Sequence, residues 1–341
     1  MSGRALMRAI RVAQYGGPEV LRVDFQVPVP VPTDTQVLVE VKAASVNPVD
    51  TYIRNGTYSI KPPLPYTPGA DGAGIVSQIG ASVTKFKEGD KVFLIRTVSG
   101  GYAEYTVAEE AMVGKLPDRL SFSHGAGLGV PCYTAYRALC IKAKDKLKPG
   151  NTVLVHGSSS AAVVLACVQI GVSKGLKVLV TAGTPELLDL MLKQGAAGAF
   201  SYKEQGYTDK ILAATNGTGP DIIIEMTANV NLETDLKIIN KGGIIVVVGN
   251  RGNTEVTPRF LMHKESIVTG MELWNSPPEE WVEMHQGISE GLNAGWLQPN
   301  VQKEYKLEEA GLAHKDFMNK SQTAGKKFAV DVLRNHHSSA E

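Results

Sequence analysis

The chain has 341 residues, 43% of them hydrophobic and 20% charged, with a formal net charge of +1. That length supports two domains with sizeable cores, and the balanced charge offers no general footing for nucleic acid or an anionic membrane. Three cysteines, Cys132, Cys140 and Cys167, stand in no paired metal spacing and cannot close a disulfide framework, so a reducing, cytoplasmic setting is expected.

The opening segment MSGRALMRAIRV alternates Met7 and Ala9 against Arg8 and Arg11. It reads as a first strand, not a signal or transit peptide. No apolar run approaches the ~18 residues that span a bilayer. To about residue 125 the chain is rich in short valine- and isoleucine-bearing stretches, VLVEVKAASV, GAGIVSQIG, DKVFLI and GYAEYTV, divided by glycine and proline. That rhythm predicts an antiparallel barrel. Within it, VNPVDTYIRNGTYSIKPPLPYTPGADGAGIV reads as a long loop bearing Asn47, Tyr52, Arg54 and Tyr58. Its tyrosines could floor a flat pocket, since each ring pairs an apolar face with a polar tip; a plain surface loop is the competing reading.

After about residue 125 the pattern changes. A helix is expected over Tyr133 to Lys142, then strand TVLVHG, an apolar helix to Lys174 stopped by Gly175, strand KVLVTAG and helix PELLDLMLKQG. Thr184 is that last helix's expected N-cap, Pro185 lies in its first turn and Gly195 at its end. Strand DIIIEMT, helix ETDLKIIN and strand GGIIVVVGN follow. Near-continuous apolar strands alternating with helices predict a doubly wound parallel sheet. The expected division is a barrel domain from residues 1–125 and 266–341, and a doubly wound domain from 126–265.

The first strand-to-helix turn of such a sheet is a dinucleotide phosphate site, normally rich in glycine. Here Gly157 is followed by Ser158, Ser159, Ser160, Ala161, Ala162, Val163 and Val164. Free amides at the helix start and the serine hydroxyls still suit an anion, while alanine and valine replace the bare backbone that lets a diphosphate approach. The competing reading is an ordinary buried helix start. The second strand ends in Thr181, Ala182, Gly183 and Thr184. With no Asp or Glu there to bind ribose hydroxyls, a 2′-phosphorylated nucleotide is favoured; Lys177, Tyr202 and Lys203 are the nearby groups that could meet the phosphate. His156 reads as a packed, hydrogen-bonded histidine in preference to a catalytic base.

Several motifs together resemble the zeta-crystallin-like quinone oxidoreductases of the medium-chain dehydrogenase/reductase superfamily. They are GGPEVL (Gly16 to Leu21), NPVDTYIRNGTY (Asn47 to Tyr58), PYTPGADGAG (Pro65 to Gly74), SGGYAEY (Ser99 to Tyr105), TAYRAL (Thr134 to Leu139), TAGT, IIIEMTANVNL, VVVGNRG and the late AGKKF. The resemblance covers nearly the whole chain. It implies a GroES-like β-barrel catalytic domain with a Rossmann domain, and NADPH-dependent quinone reduction by direct hydride transfer. It further implies that Tyr52 lies by the nicotinamide with Asn47 and Tyr58 in the same cleft, and that Gly183 and Thr184 meet the adenosine ribose with Tyr202 near the adenine. Asn231, with Asn229, would meet the cofactor at the next strand end, and Val248, Gly249, Asn250 and Arg251 would form the loop near the nicotinamide. A homodimer or homotetramer is implied in the same way. Zinc enzymes of this fold carry Cys and His ligands where this chain reads Ala44-Ser45-Val46-Asn47 and Gly69-Ala70-Asp71-Gly72, so no metal is expected. One departure stands out. Relatives read approximately His-Gly-Ala-x-Gly-Gly-Val-Gly at the turn. Aligned forward from His156 the glycines fall on Ser160, Ala161 and Val163, and aligned backward from Gln169 on Ala161, Ala162 and Val164. Two other functions stay open: an enone or alkenal reductase, because fold does not fix substrate, and a crystallin-like structural or AU-rich RNA-binding protein, by resemblance alone.

Overall fold

The computed structural model describes residues 5–157, 161–319 and 327–332. The chain divides into two compact units, Met1–Val130 with Pro299–Glu341, and Pro131–Gln298.

In the first unit β1 (Leu6–Arg11) pairs antiparallel with β2 (Arg22–Pro28). The main sheet begins with β3 (Gln36–Ser45), whose alternating Val37, Val39 and Val41 are buried, as one pleated face turned to a core requires. Helix α1 (Pro48–Arg54) follows, then β4 (Asp71–Ile79), β5 (Lys91–Ile95), β6 (Tyr105–Glu109), β7 (Val113–Lys115) and α2 (Phe122–Ala126), and α3 (Gly129–Tyr136) carries the chain into the second unit. Val37, Val39, Val76, Val92 and Leu94 meet in one apolar cluster with Phe86.

The second unit runs β8 (Thr152–Val155), α4 (Ala161–Ser173), β9 (Lys177–Ala182), α5 (Pro185–Lys193), β10 (Gly198–Ser201), α6 (Tyr207–Ala214), β11 (Ile222–Glu225), α7 (Ala228–Ile238), β12 (Ile244–Val247), α8 (Pro258–Lys264), β13 (Ile267–Gly270) and α9 (Pro278–Ala294). Its six strands are parallel in the order β10-β9-β8-β11-β12-β13. The chain winds outward from β8 through β10, then returns to β8's other edge, so the switch in direction lies between β8 and β11. Crevices at such switches take ligands beyond the carboxyl ends of the strands. Helix α4 is apolar almost all round, and ten of its residues are buried, as expected of a helix enclosed on most sides.

The chain then returns through β14 (Val301–Lys306), α10 (Ala310–Met318) and β15 (Lys327–Asp331). The free edge of β3 is shared: Gln36–Glu40 pair with β6, and Ala43–Ser45 with β15. The β14–β15 pair is parallel, unlike the antiparallel pairs around it.

Three expectations change. The return to the first unit comes at Pro299, not 266, because β13 pairs in register with β12 and α9 buries Trp281, Met284, Ile288 and Leu292 within the second unit. Strand β10 and helix α6 were not anticipated; GAFS is short and half-buried throughout, so it carries no alternation. The long loop contains α1, which Asn47 caps, with Pro48 at its first turn and Asp50 accepting the Asn47 N–H at 2.8 Å; an Asn-Pro-x-Asp start is a capping signal, obscured here because only two turns follow. Among the described residues, no helix is long and apolar enough to cross a membrane.

Candidate active site

In the second unit the carboxyl ends of β8, β9, β11 and β12 converge. Gly157 follows β8, and a Cβ there would drive into the Thr181 carbonyl oxygen, so the crossing of these two backbones requires glycine. Its N–H donates to Thr181 Oγ1 at 3.1 Å. Ser159 and Ser160 lie outside the described residues. Ala161 and Ala162 form the first turn of α4, where helix amides lack partners within the helix. Val163 and Val164 are buried and belong to the core. The space that glycines would leave for close packing is therefore filled by valine side chains.

Gly183 follows β9 with Tyr202 laid against it, and a Cβ at 183 would overlap the phenol oxygen. The Tyr202 N–H donates to Ala182 O at 3.3 Å because β10 runs in register beside β9. Tyr202 and Lys203 are exposed at this point. Thr184 caps α5. Lys177 sits at the opposite end of β9 and donates to Ala214 O at 2.6 Å, so it does not reach this end of the strand.

Past β11 and β12 the loops are stitched together. Val248 N–H donates to Glu225 O at 2.8 Å, Ala228 N–H to Gly249 O at 3.0 Å, and Arg251 N–H to Asn229 Oδ1 at 3.0 Å. Asn250 and Arg251 are exposed. Asn231 turns its amide toward Glu225, at 3.3 and 3.2 Å from the two carboxylate oxygens. Glu225 is fully buried and sits with His156 and Asp235 in one cluster. His156 is packed and hydrogen-bonded, as its place at the end of an apolar strand implies, at 2.8 Å from Asp235 and 3.0 Å from Thr181. Neither carboxylate stands among the site residues that the sequence points to. The available signal was a charged residue closing the apolar run Ile222–Ile224.

In the first unit α1 places Tyr52 half-buried, and the N–H groups of Thr57 and Tyr58 both donate to Tyr52 O, at 3.0 and 3.2 Å. Tyr52 and Tyr58 are thereby brought together. Asn47 is buried, so it does not offer the cleft-lining surface expected of it; its Nδ2 donates to Asp71 Oδ2 at 2.8 Å. The same oxygen accepts from Ser45 Oγ at 3.3 Å and Val130 N at 2.9 Å. The two stretches set against zinc-ligand positions thus meet as a hydrogen-bonded knot of hydroxyl, amide and carboxylate, with no thiolate or imidazole among them. Arg54, expected on a surface loop, is buried at the end of α1, and its Nη1 donates to His314 Nδ1 at 3.1 Å.

Comparison with known proteins agrees with both units. Residues 33–118 match the family "Alcohol dehydrogenase GroES-like domain" and residues 162–290 the family "Zinc-binding dehydrogenase". The human protein named quinone oxidoreductase is 47% identical over 329 residues, covering 95% of this chain and 98% of that protein. A solved NAD-dependent alcohol dehydrogenase superposes with a TM-score of 0.86 at 27% identity, covering 96% of this chain and all of that one. The Escherichia coli quinone oxidoreductase solved with NADPH superposes with a TM-score of 0.83 at 28% identity, covering 95% and 100%. The chain therefore belongs to the quinone oxidoreductases of the medium-chain dehydrogenase/reductase superfamily.

Proposed function

We propose that the protein is an NADPH-dependent quinone reductase. The observation that carries this reading is the end of β9: the strand closes in Thr181, Ala182, Gly183 and Thr184 with no acid among them to bind ribose hydroxyls, and Tyr202 and Lys203 are exposed where β10 ends beside it. The residues fit the nucleotide elsewhere too. The first-turn amides of α4 suit a diphosphate, with Ser159, Ser160, Ala161 and Ala162 as its segment, and Thr184, Asn231 and Val248 to Arg251 border the strand ends. The human relative is named quinone oxidoreductase, and the solved Escherichia coli relative was complexed with NADPH.

When bound, NADPH supplies a hydride, and the protein's part is to orient and to exclude water. Tyr52 and Tyr58 present flat amphipathic rings suited to a quinone, and the Tyr52 hydroxyl is the proposed proton donor. Asn47 is assigned to hold α1 in place through Asp71. Titration of NADPH by calorimetry tests the cofactor, and no binding at millimolar nucleotide would end the reductase reading. If it binds, 9,10-phenanthrenequinone is compared with a 2-alkenal; turnover of the alkenal alone would transfer the assignment to enone reduction. Tyr52→Phe should lower turnover about tenfold or more with little change in stability, checked by steady-state kinetics beside urea unfolding.

The same reading includes self-association. Strand β13 is the edge of its sheet, and Ile267, Val268 and the neighbouring Met262 are exposed, an arrangement that favours pairing with a second copy. Light scattering tests it, and a monomer at micromolar concentration would refute it. The three cysteines are buried free thiols, which supports a reducing compartment such as the cytoplasm.

A further inference from the structure

Beneath the strand ends at the switch point lies a set of ionisable groups that hydride transfer does not use. His156 follows β8, Glu225 ends β11 and Asp235 lies on α7; they are 2%, 0% and 0% exposed. His156 Nε2 is 2.8 Å from Asp235 Oδ1 and 3.7 Å from Glu225 Oε2. Its Nδ1 is 3.0 Å from Thr181 Oγ1, the atom that also accepts the Gly157 N–H. Glu225 Oε1 accepts from Thr227 N–H, and both Glu225 oxygens face Asn231 Nδ2. Asp235 Oδ2 is buried with no hydrogen-bond partner. The Tyr207 phenol of α6 feels both carboxylates and is held neutral, raised first by burial and then by Asp235 and Glu225. Among the described residues, His156 is the one group of basic character in ion-pair range of either acid.

Two carboxylates against one imidazole do not balance, and an uncompensated buried charge is costly. Burial pushes Glu225 up; His156 pulls it down and Asp235 raises it again, leaving it at about 7. Burial works against a charged His156, but the charge and hydrogen bond of Asp235 outweigh it and raise the imidazole above its ordinary 6.5. Both groups therefore hold protons that the unfolded chain would release, and the stability they contribute drains away as pH rises through about 7.

We propose that His156, Glu225 and Asp235 form a proton-sharing positioning network under the dinucleotide, with one proton making the imidazolium and a second bridging the two carboxyl groups at the vacant Asp235 Oδ2. The network is then electrically neutral. It orients Gly157 through Thr181 at one end and Asn231 through Glu225 at the other, both at the strand ends assigned to the nucleotide. Loss of the bridging proton leaves a net negative charge beneath an anionic ligand, so NADPH binding and retention of that proton are linked. This inference rests on the dinucleotide reading above.

The test uses NADPH and the intact protein. Calorimetry at pH 7.5 in two buffers of different ionisation enthalpy should show proton uptake on binding. Between pH 6 and pH 9 the wild-type Kd should rise about tenfold more than that of Glu225→Gln, which mimics the protonated acid; about tenfold corresponds to one pK unit of linkage. Comparing the two proteins cancels titration of the nucleotide's own phosphate. Nitrogen-15 histidine spectra of the free protein should show His156 still protonated at pH 7, and need no variant to fold. Equal pH dependence in the two proteins, no proton uptake, a His156 signal neutral at pH 7, or a stoichiometric metal ion held by the purified protein would each overturn the proposal. If NADPH fails to bind at any pH the positioning role falls with the reductase reading, while the histidine spectra still decide whether the proton network exists.

Discussion

His156 and His314 are both closed off from solvent, one in each unit, and are driven in opposite directions. His314 accepts a hydrogen bond at Nδ1 from Arg54, which can only donate. Its Nε2–H then donates to Tyr102 Oη at 2.9 Å, and that hydroxyl donates onward to Ser45 O at 3.2 Å. Burial, with the Arg54 cation beside it, pushes His314 down to about 3. His156 faces Asp235 instead and is raised. Burial alone penalises both imidazolium forms; the sign of the neighbouring charge decides the outcome. In the first unit the His314 ring has a donor at one nitrogen and an acceptor at the other, and it stays neutral near pH 7. In the second unit acids outnumber the base, and the cluster titrates.

That contrast can be broken most severely at Asp71. Asp71→Ala strands the donors of Ser45, Asn47 and Val130 in the core and should cost about 3 kcal/mol, read as a lower urea midpoint; a change under about 1 kcal/mol would mean the knot relaxes freely. Next comes pH. Because His314 is depressed, the unfolded chain takes up a proton that the folded unit refuses, so stability present above the unfolded value of 6.5 is lost on acidification. Going from pH 7 to pH 5 should cost the first unit about 2 kcal/mol, while the His156 cluster moves the second unit the other way. Peptide-resolved hydrogen exchange, corrected for intrinsic rates, would show the two slopes, and His314→Gln should flatten the first. Gly157→Ala should cost about 2 kcal/mol because its new methyl meets a backbone carbonyl. Gly183→Ala should cost under about 1 kcal/mol, since the obstacle is the end of an exposed tyrosine that can swing away. Equal losses in thermal unfolding would show that Tyr202 is as immobile as the strand.

Much of this fold was legible in the residues. β8, β9, β11 and β12 announce themselves as valine- and isoleucine-rich runs, and Thr184, Pro185 and Gly195 mark the ends of α5 as helix-end chemistry demands. The turns that follow these strands were legible for the same reason, because a turn between a strand and a helix is a local event. Strand β10, helix α6 and the membership of β13 were not. Four residues give too little alternation to read, and β13 is defined by its partner β12 more than by its own side chains. Asn47 was read as a residue facing the cleft because its motif resembles one that does; its commitment to Asp71, across 24 positions, could not be seen from the motif.

Taken alone, the order of amino acids determined the two architectures, the parallel winding and the lack of an acid at the end of β9, since each follows from periodicity or composition within a few residues. Only the tertiary structure decided which buried ionisable groups face one another. His156 and Asp235 lie 79 positions apart and His314 and Arg54 260 apart. Charge balance inside a core belongs to the groups that folding brings together, and no local pattern encodes it.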